Sequence, residues 1–176
     1  MFGRRDKRNN ARSSGWKHET GRVFSPEACE AALERVPLFA ALPPGERRNL
    51  VAASVERAYP AGAGIVWQGQ APGVGLYVVL AGRAQVTQVE EGGAARMLTE
   101  LGLGEMFGEI ALLDERPRTA TVMAMEPAVA LIIPIFDFRA ALMRNPDAAL
   151  RLLTLLSRRV RAAETARHPA RQAGTR

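Results

Sequence analysis

The sequence predicts an α+β domain: an antiparallel β-roll or barrel, jelly-roll-like, flanked by N-terminal helices and a long C-terminal helix. Three observations predict it. Helical periods occupy both ends of the chain but not its middle. Between Val55 and Ile135, β-type runs alternate with glycine or proline turns about every eight to twelve residues, the spacing of an all-β barrel or sandwich. Finally, 176 residues with 47% hydrophobic and 24% charged content make one domain of ordinary globular composition.

The elements follow in order. Residues 1–22 have no period and many Arg, Asn, Ser and Gly, and they read as a basic mobile tail. Ser25-Pro26 opens a helix, serine as the cap and proline in the first turn. Its stretch SPEACEAALERV sets Ala28, Ala32 and Val36 on one face, with Cys29 and Leu33 beside them, and Pro37 is expected to end it. A second short helix is expected from Pro44 to Ala53. The β-type runs are VERAYPAG, IVWQGQAPG, LYVVLAG, AQVTQVEEGG, RMLTELGLG, ATVMAMEPA and VALIIPI, with Glu90 to Gly93 as a hairpin turn. Phe136 to Met143 predicts a short helix ending near Asn145-Pro146. Asp147 is expected to cap a last helix, about 147–165. There Ala149, Leu153, Leu156, Val160 and Ala163 recur at four-three spacing, a narrow seam suited to another helix, and Leu152 and Leu155 look out beside it. The domain is expected to span 23–166, with 167–176 as a frayed basic C-terminus after His168-Pro169 begins to break the helix.

The net charge of +6 is unevenly placed. Residues 1–22 hold seven basic and two acidic side chains, residues 151–176 seven and one, and residues 23–150 ten and fifteen, so an acidic body carries two basic ends. Such ends suit nucleic acid, membrane lipid or an acidic partner. The simpler reading is a solvated tail and a solvated helix face, which leaves nucleic acid disfavoured as a partner. The most apolar run, AVALIIPIF, is too short to span a bilayer and contains Pro134, so no transmembrane segment is expected. No apolar stretch follows the basic N-terminus as a signal peptide requires, and the expected location is cytoplasmic. The lone Cys29 excludes an intrachain disulfide and a thiolate metal cluster.

Catalysis is hard to build from these residues. The histidines, His18 and His168, lie in the tails, while Ser25 and Ser54 sit at a cap and near a helix end. A Ser-His or Cys-His nucleophile is not available, and the same shortage removes metal sites. No catalytic residue, metal or cofactor is therefore expected. GLGEMFG (Gly102 to Gly108) has one residue too many for the dinucleotide fingerprint and lacks a surrounding βαβ unit.

One stretch stands apart: FGEIALLDERPRTATV, Phe107 to Val122. Glu109 follows Gly108 directly, and Arg118 follows Pro117, with apolar residues before, between and after. A guanidinium grips a phosphodiester with two parallel bonds. A carboxylate accepts from a sugar hydroxyl. Residues 109–113, as one helical turn, would aim free backbone N–H groups at the same anion, and small Ala111 permits close approach. Together these describe a nucleotide site. The same residues also allow a Glu109–Arg118 ion pair tying two strands, with Gly108 making a turn.

The stretch closely resembles the phosphate-binding cassette of the cyclic nucleotide-binding domain family, which includes kinase regulatory subunits, gated channels and bacterial catabolite-activator-type regulators. Phe107-Gly108-Glu109-Ile110-Ala111-Leu112 and Pro117-Arg118-Thr119-Ala120 match its pattern without a gap. VPLFAAL (Val36 to Leu42), Tyr59-Pro60-Ala61-Gly62, Gln68-Gly69-Gln70 and Leu76 to Gly82 extend the resemblance over about residues 30–165. The resemblance implies that Glu109 accepts the ribose 2′-hydroxyl and that Arg118 pairs with the cyclic phosphate, helped by the N–H groups of Ala111 and Leu112. It implies close backbone approach at Gly108. Thr119 would touch the phosphate or a syn purine, or act only as a β-branched strand residue. Phe107, Ile110 and Ala120 complete the cassette, and Val78, Leu80, Val86 and Leu98 would be barrel wall near the ligand. With no ligand bound, Glu109 and Arg118 are expected to pair with each other. Where the family usually carries an acidic residue before Leu76, this chain has Val74-Gly75. No DNA-binding helix-turn-helix is expected after Thr165.

The implied function is a stand-alone sensor of a cyclic purine nucleotide, cAMP rather than cGMP. It would signal through its C-terminal helix to a separate, unidentified effector protein and pair with a second copy through that helix. The alternatives are an interaction module of the same fold that nucleotide does not regulate, and a dimeric, basic-tailed nucleic-acid binder.

Overall fold

The computed structural model describes residues 23–167 apart from 72, 74 and 91; residues 1–22 and 168–176, with His18 and His168, and Val74 lie outside the described residues. Ser25 accepts a hydrogen bond from the Ala28 N–H (3.2 Å) and caps α1 (Pro26–Glu34), as the Ser-Pro pair predicts. The face it buries is Cys29, Ala32 and Leu33; Ala28, expected on that face, is exposed. Pro37 ends no helix but opens α2 (Pro37–Ala40), because a first turn leaves the N–H that proline lacks unbonded anyway. α3 (Pro44–Ala53) lies where the sequence puts it.

Eight strands follow among the described residues: β1 (Val55–Tyr59), β2 (Gly64–Val66), β3 (Gly75–Ala81), β4 (Ala84–Val89), β5 (Ala95–Leu101), β6 (Met106–Phe107), β7 (Thr121–Ala124) and β8 (Ala128–Pro134). They pair antiparallel in two four-stranded sheets, β1-β8-β3-β6 and β2-β7-β4-β5, the expected β-roll. Each β-type run of the sequence yields one strand. β6 is additional, since two residues are too few to show a period. The turn after Val89 closes with Gly93 N–H donating to the Glu90 carbonyl (3.0 Å), and Gly92 and Gly93 take the positive φ (106° and 85°) it needs.

β3 is buried on both faces, and its two faces serve different cores. Leu76, Val78 and Leu80 join the helix-side cluster with Leu33, Phe39, Leu131 and Phe138. Tyr77 and Val79 point between the sheets, beside Tyr59, Val66, Leu101, Phe107 and Val122. Val78 and Leu80, expected as barrel wall, therefore face the helices rather than the space between the sheets. An apolar run buried on both sides carries no alternation from which its inner face could be told.

α5 (Ile135–Arg144) and α6 (Pro146–Arg167) complete the described residues. The Asn145 carbonyl accepts from the N–H groups of Ala148 (3.0 Å) and Ala149 (3.3 Å), so Asn145 precedes the helix and Asp147 sits in its first turn rather than at its cap. A carboxylate there suits the positive end of the helix dipole. The inward face of α6 is Ala148 and Leu152, both buried, with Leu155 packed beside them. This reverses the expected orientation. Leu152 does not look out, whereas Leu153 and Val160 of the seam are 59% and 57% exposed. α2 and α5 pack against α6, and the 148–152–155 stripe joins the helix-side cluster with them, so Leu153 and Val160 of the seam face solvent while Leu156 is half-buried against that cluster.

Candidate functional site

The Phe107–Val122 stretch folds as a strand end, a short helix and a loop returning to a strand. β6 ends at Phe107, whose ring stacks on Tyr77 (centroids 4.9 Å apart, planes 11° apart). Gly108 turns the chain with φ 89°, a conformation that glycine adopts without strain. α4 (Glu109–Leu113) then begins, as the single helical turn the sequence predicts. Ala111 and Leu112 are buried and Ile110 is exposed. The first N–H groups of such a turn have no partner within the helix. At its other end Arg139 of α5 donates to the Leu112 carbonyl (2.6 Å) and pairs with Glu115 (3.0 Å), and Glu115 itself holds a left-handed φ of 58°.

Two charged side chains are buried here. Glu109 is wholly buried and Arg118 is 5% exposed. Arg118 donates through Nη1 to the Gly108 carbonyl (2.8 Å) and through Nη2 to the Gly75 carbonyl (3.3 Å). Its guanidinium lies 5.7 Å from the Tyr77 ring centroid. Burial pushes its pKa down, and the interactions with Tyr77 and Glu109 oppose that shift. Glycine makes the space: a Cβ at Gly73 would collide with Nη2, and one at Gly108 would lie 2.6 Å from Nη1. Among the described residues no salt bridge joins Arg118 to a carboxylate.

The expected Glu109–Arg118 pair is thus not formed. Glu109 Oε1 is held instead by Arg159 of α6, whose second nitrogen donates to the Met106 carbonyl (2.8 Å). Arg118 is drawn to the carbonyls of Gly108 in the cassette turn and Gly75 at the start of β3, and a cation from the last helix takes the carboxylate. Glu109 Oε2 is buried with no hydrogen-bond partner. A buried acceptor without a partner and a buried cation on two carbonyls and an aromatic ring thus lie in one turn of the chain, and groups of this kind call for a polar partner.

The remaining cassette residues lie around this pair. Thr119 is exposed and Ala120 half-buried. The Thr119 carbonyl accepts from Gln88 of β4 (3.0 Å). Val86 packs against the cluster between the sheets. Leu98 is 43% exposed and falls within the register shift between β4 and β5. Among the described residues no group of three metal-ligating side chains occurs, and no helix is long and apolar enough to cross a membrane.

Arg159 and Arg139 carry no motif, and the sequence reading passes over both. A signal for Arg159 existed: with Ala148, Leu152 and Leu155 it falls on one helical stripe, and an arginine on the stripe that proves to be buried needs a partner.

The family model for the cyclic nucleotide-binding domain matches residues 56–145. The chain belongs to that family. The Cyclic AMP receptor protein of Thermus thermophilus is 39% identical over 128 residues, 73% of this chain and 59% of that protein. A cAMP-dependent protein kinase regulatory subunit of Blastocladiella emersonii is 40% identical over 95 residues, 54% of this chain and 23% of that protein. The crystal structure of the Thermus thermophilus catabolite activator protein matches with a TM-score of 0.66 at 38% identity, covering 74% of this chain and 61% of that one. This cyclic nucleotide-binding domain therefore spans less than two thirds of the length of those relatives.

Proposed function

We infer that this domain binds a cyclic purine nucleotide at Glu109 and Arg118, prefers cAMP to cGMP, and passes its occupancy through α6 to a separate effector protein. One observation carries the reading: a buried guanidinium without a carboxylate partner among the described residues, next to a buried carboxylate with one oxygen that has no hydrogen-bond partner there. In the reading, Arg118 takes the cyclic phosphate, the N–H groups of Ala111 and Leu112 assist, and Glu109 Oε2 accepts the ribose hydroxyl. The relatives named for cyclic AMP favour adenine over guanine.

The route outward is Arg159. It ties the carboxylate that would receive the ribose to the helix that would report it. A ligand hydroxyl at Glu109 changes what that carboxylate offers Arg159, and only such a differential contact can shift α6 between two positions. Leu153 and Val160 of α6 stand exposed, with half-buried Leu156 between them, the surface for the effector or a second copy of the chain. Their four-three spacing is that of a helix–helix seam.

Calorimetric titration with cAMP, cGMP and linear AMP tests the reading. Saturable binding of cAMP, weaker binding of cGMP and none of linear AMP is expected. If none of the three binds, the domain is an interaction module with a vestigial site.

A further inference from the structure

We propose that Gln68 is a positioning residue for Arg118, acting as a side-chain clamp that fixes where the guanidinium can meet a phosphate. The proposal rests on the nucleotide reading of this site.

Arg118 leaves the cassette loop just before β7, in a segment outside regular structure. Its backbone is nevertheless held from both directions by a single turn. The Arg118 N–H donates to the Gln70 carbonyl (2.8 Å), and the Arg118 carbonyl accepts from the Gly69 N–H (2.8 Å). These two bonds fix the Cα from which the guanidinium reaches back to Gly108 and Gly75. The 68–70 turn is itself outside any strand, so something must hold it. Gln68 does so with both ends of its amide. Oε1 accepts from the Val89 N–H (2.7 Å), and Nε2 donates to the Val89 carbonyl (2.9 Å). A side-chain amide thereby substitutes for a strand backbone and joins the turn to the end of β4. The Gln68 N–H adds a bond to the Thr121 hydroxyl (3.0 Å), and Gln70 Oε1 closes the turn on the Trp67 N–H (3.2 Å). β4 therefore reaches the 68–70 turn through the Gln68 amide, while its Gln88 separately holds the Thr119 carbonyl beyond the arginine.

The amide assignment is complementary. Val89 presents one donor and one acceptor to Gln68, and a primary amide can satisfy both at once, which neither a carboxylate nor an ammonium can. Loss of the clamp would release the turn, and the arginine backbone with it, without touching the ligand. Misplacing a binding group by a fraction of an ångström is costly in a site built on geometry.

The test is nucleotide affinity of the full chain by calorimetry, with cAMP as the probe. Gln68→Ala, and Gln68→Met as a second variant that keeps the stem length, are each expected to weaken binding by about tenfold, since two hydrogen bonds position the loop. The readout that a general loss of packing would not give is a double-mutant cycle. In an Arg118→Lys background the same Gln68 substitutions should change affinity by less than about twofold, because the geometry they protect is already lost. Gln68 variants that bind within about twofold of the original chain overturn the proposal. So does an equal tenfold loss in the Arg118→Lys background, which would make Gln68 a general structural strut. An original chain that binds no cyclic nucleotide refutes the nucleotide reading itself, and this assignment with it.

Discussion

Arg118→Leu separates a binding arginine from a structural one. In the free protein the guanidinium is buried, bonded to two carbonyls and without a carboxylate partner among the described residues. Two charge-assisted hydrogen bonds are lost on substitution, roughly 1.5–3 kcal/mol each. Against that, leucine removes a desolvation cost of several kcal/mol and adds about 1.5–3 kcal/mol of apolar burial. These terms nearly cancel. The depressed pKa of Arg118 has the same sign: the folded state penalises the charged form. For a base with a lowered folded pKa, that penalty is present at every pH below the folded value and is relieved only as pH rises through it. Stability of the unliganded variant should therefore stay within about 1–2 kcal/mol of the original, a shift of roughly 5 °C or less in melting temperature, throughout the neutral range. Binding has no such compensation. A buried phosphate that loses its only cation costs ~3 kcal/mol or more, over 100-fold in Kd. Thermal melting and calorimetry on one preparation check both halves. Unchanged cAMP affinity would refute the assignment of the phosphate to Arg118, and a stability loss above ~4 kcal/mol would show that the arginine is a strut.

Three further outcomes are expected. Glu109→Gln should weaken cAMP by ~1–2 kcal/mol and reduce discrimination against 2′-deoxy-cAMP, measured by competition; an undiminished ribose preference would place the hydroxyl elsewhere. Arg159→Met should destabilise the free protein by about 1–3 kcal/mol, below the full cost of an uncompensated buried charge because Arg159 is partly solvated. Chemical denaturation of the variant beside the original chain checks this, and equal stability of the two would contradict it. Leu153→Glu with Val160→Glu should leave melting and cAMP affinity nearly unchanged, since both positions are exposed, while abolishing any self-association seen by sedimentation; association that survives both changes would place the contact on another face.

The sequence by itself determined the strand runs, the hairpin turn at Glu90 to Gly93, the cassette and its helical turn. Each is written in local chemistry: glycine where φ must be positive, proline in a first turn, alternation bounded by turn residues. Glu109 and Arg118 were legible for the same reason, as charges set in an apolar stretch. What neighbours a residue across the fold was decided only by the tertiary structure. Val78 and Leu80 lie on a strand buried on both sides, and no periodicity distinguishes the helix-facing side from the roll interior. The last helix carries two apolar stripes, and the body it packs against chose the one through Leu152 over the one through Leu153. The partner of Glu109 was decided in the same way. Arg118 is nine residues from Glu109 and Arg159 is fifty, yet docking of α6 brings the distant arginine onto the carboxylate and leaves the near one on the carbonyls of Gly108 and Gly75. A chain specifies its charges one at a time, and which two meet depends on where the elements that carry them come to rest.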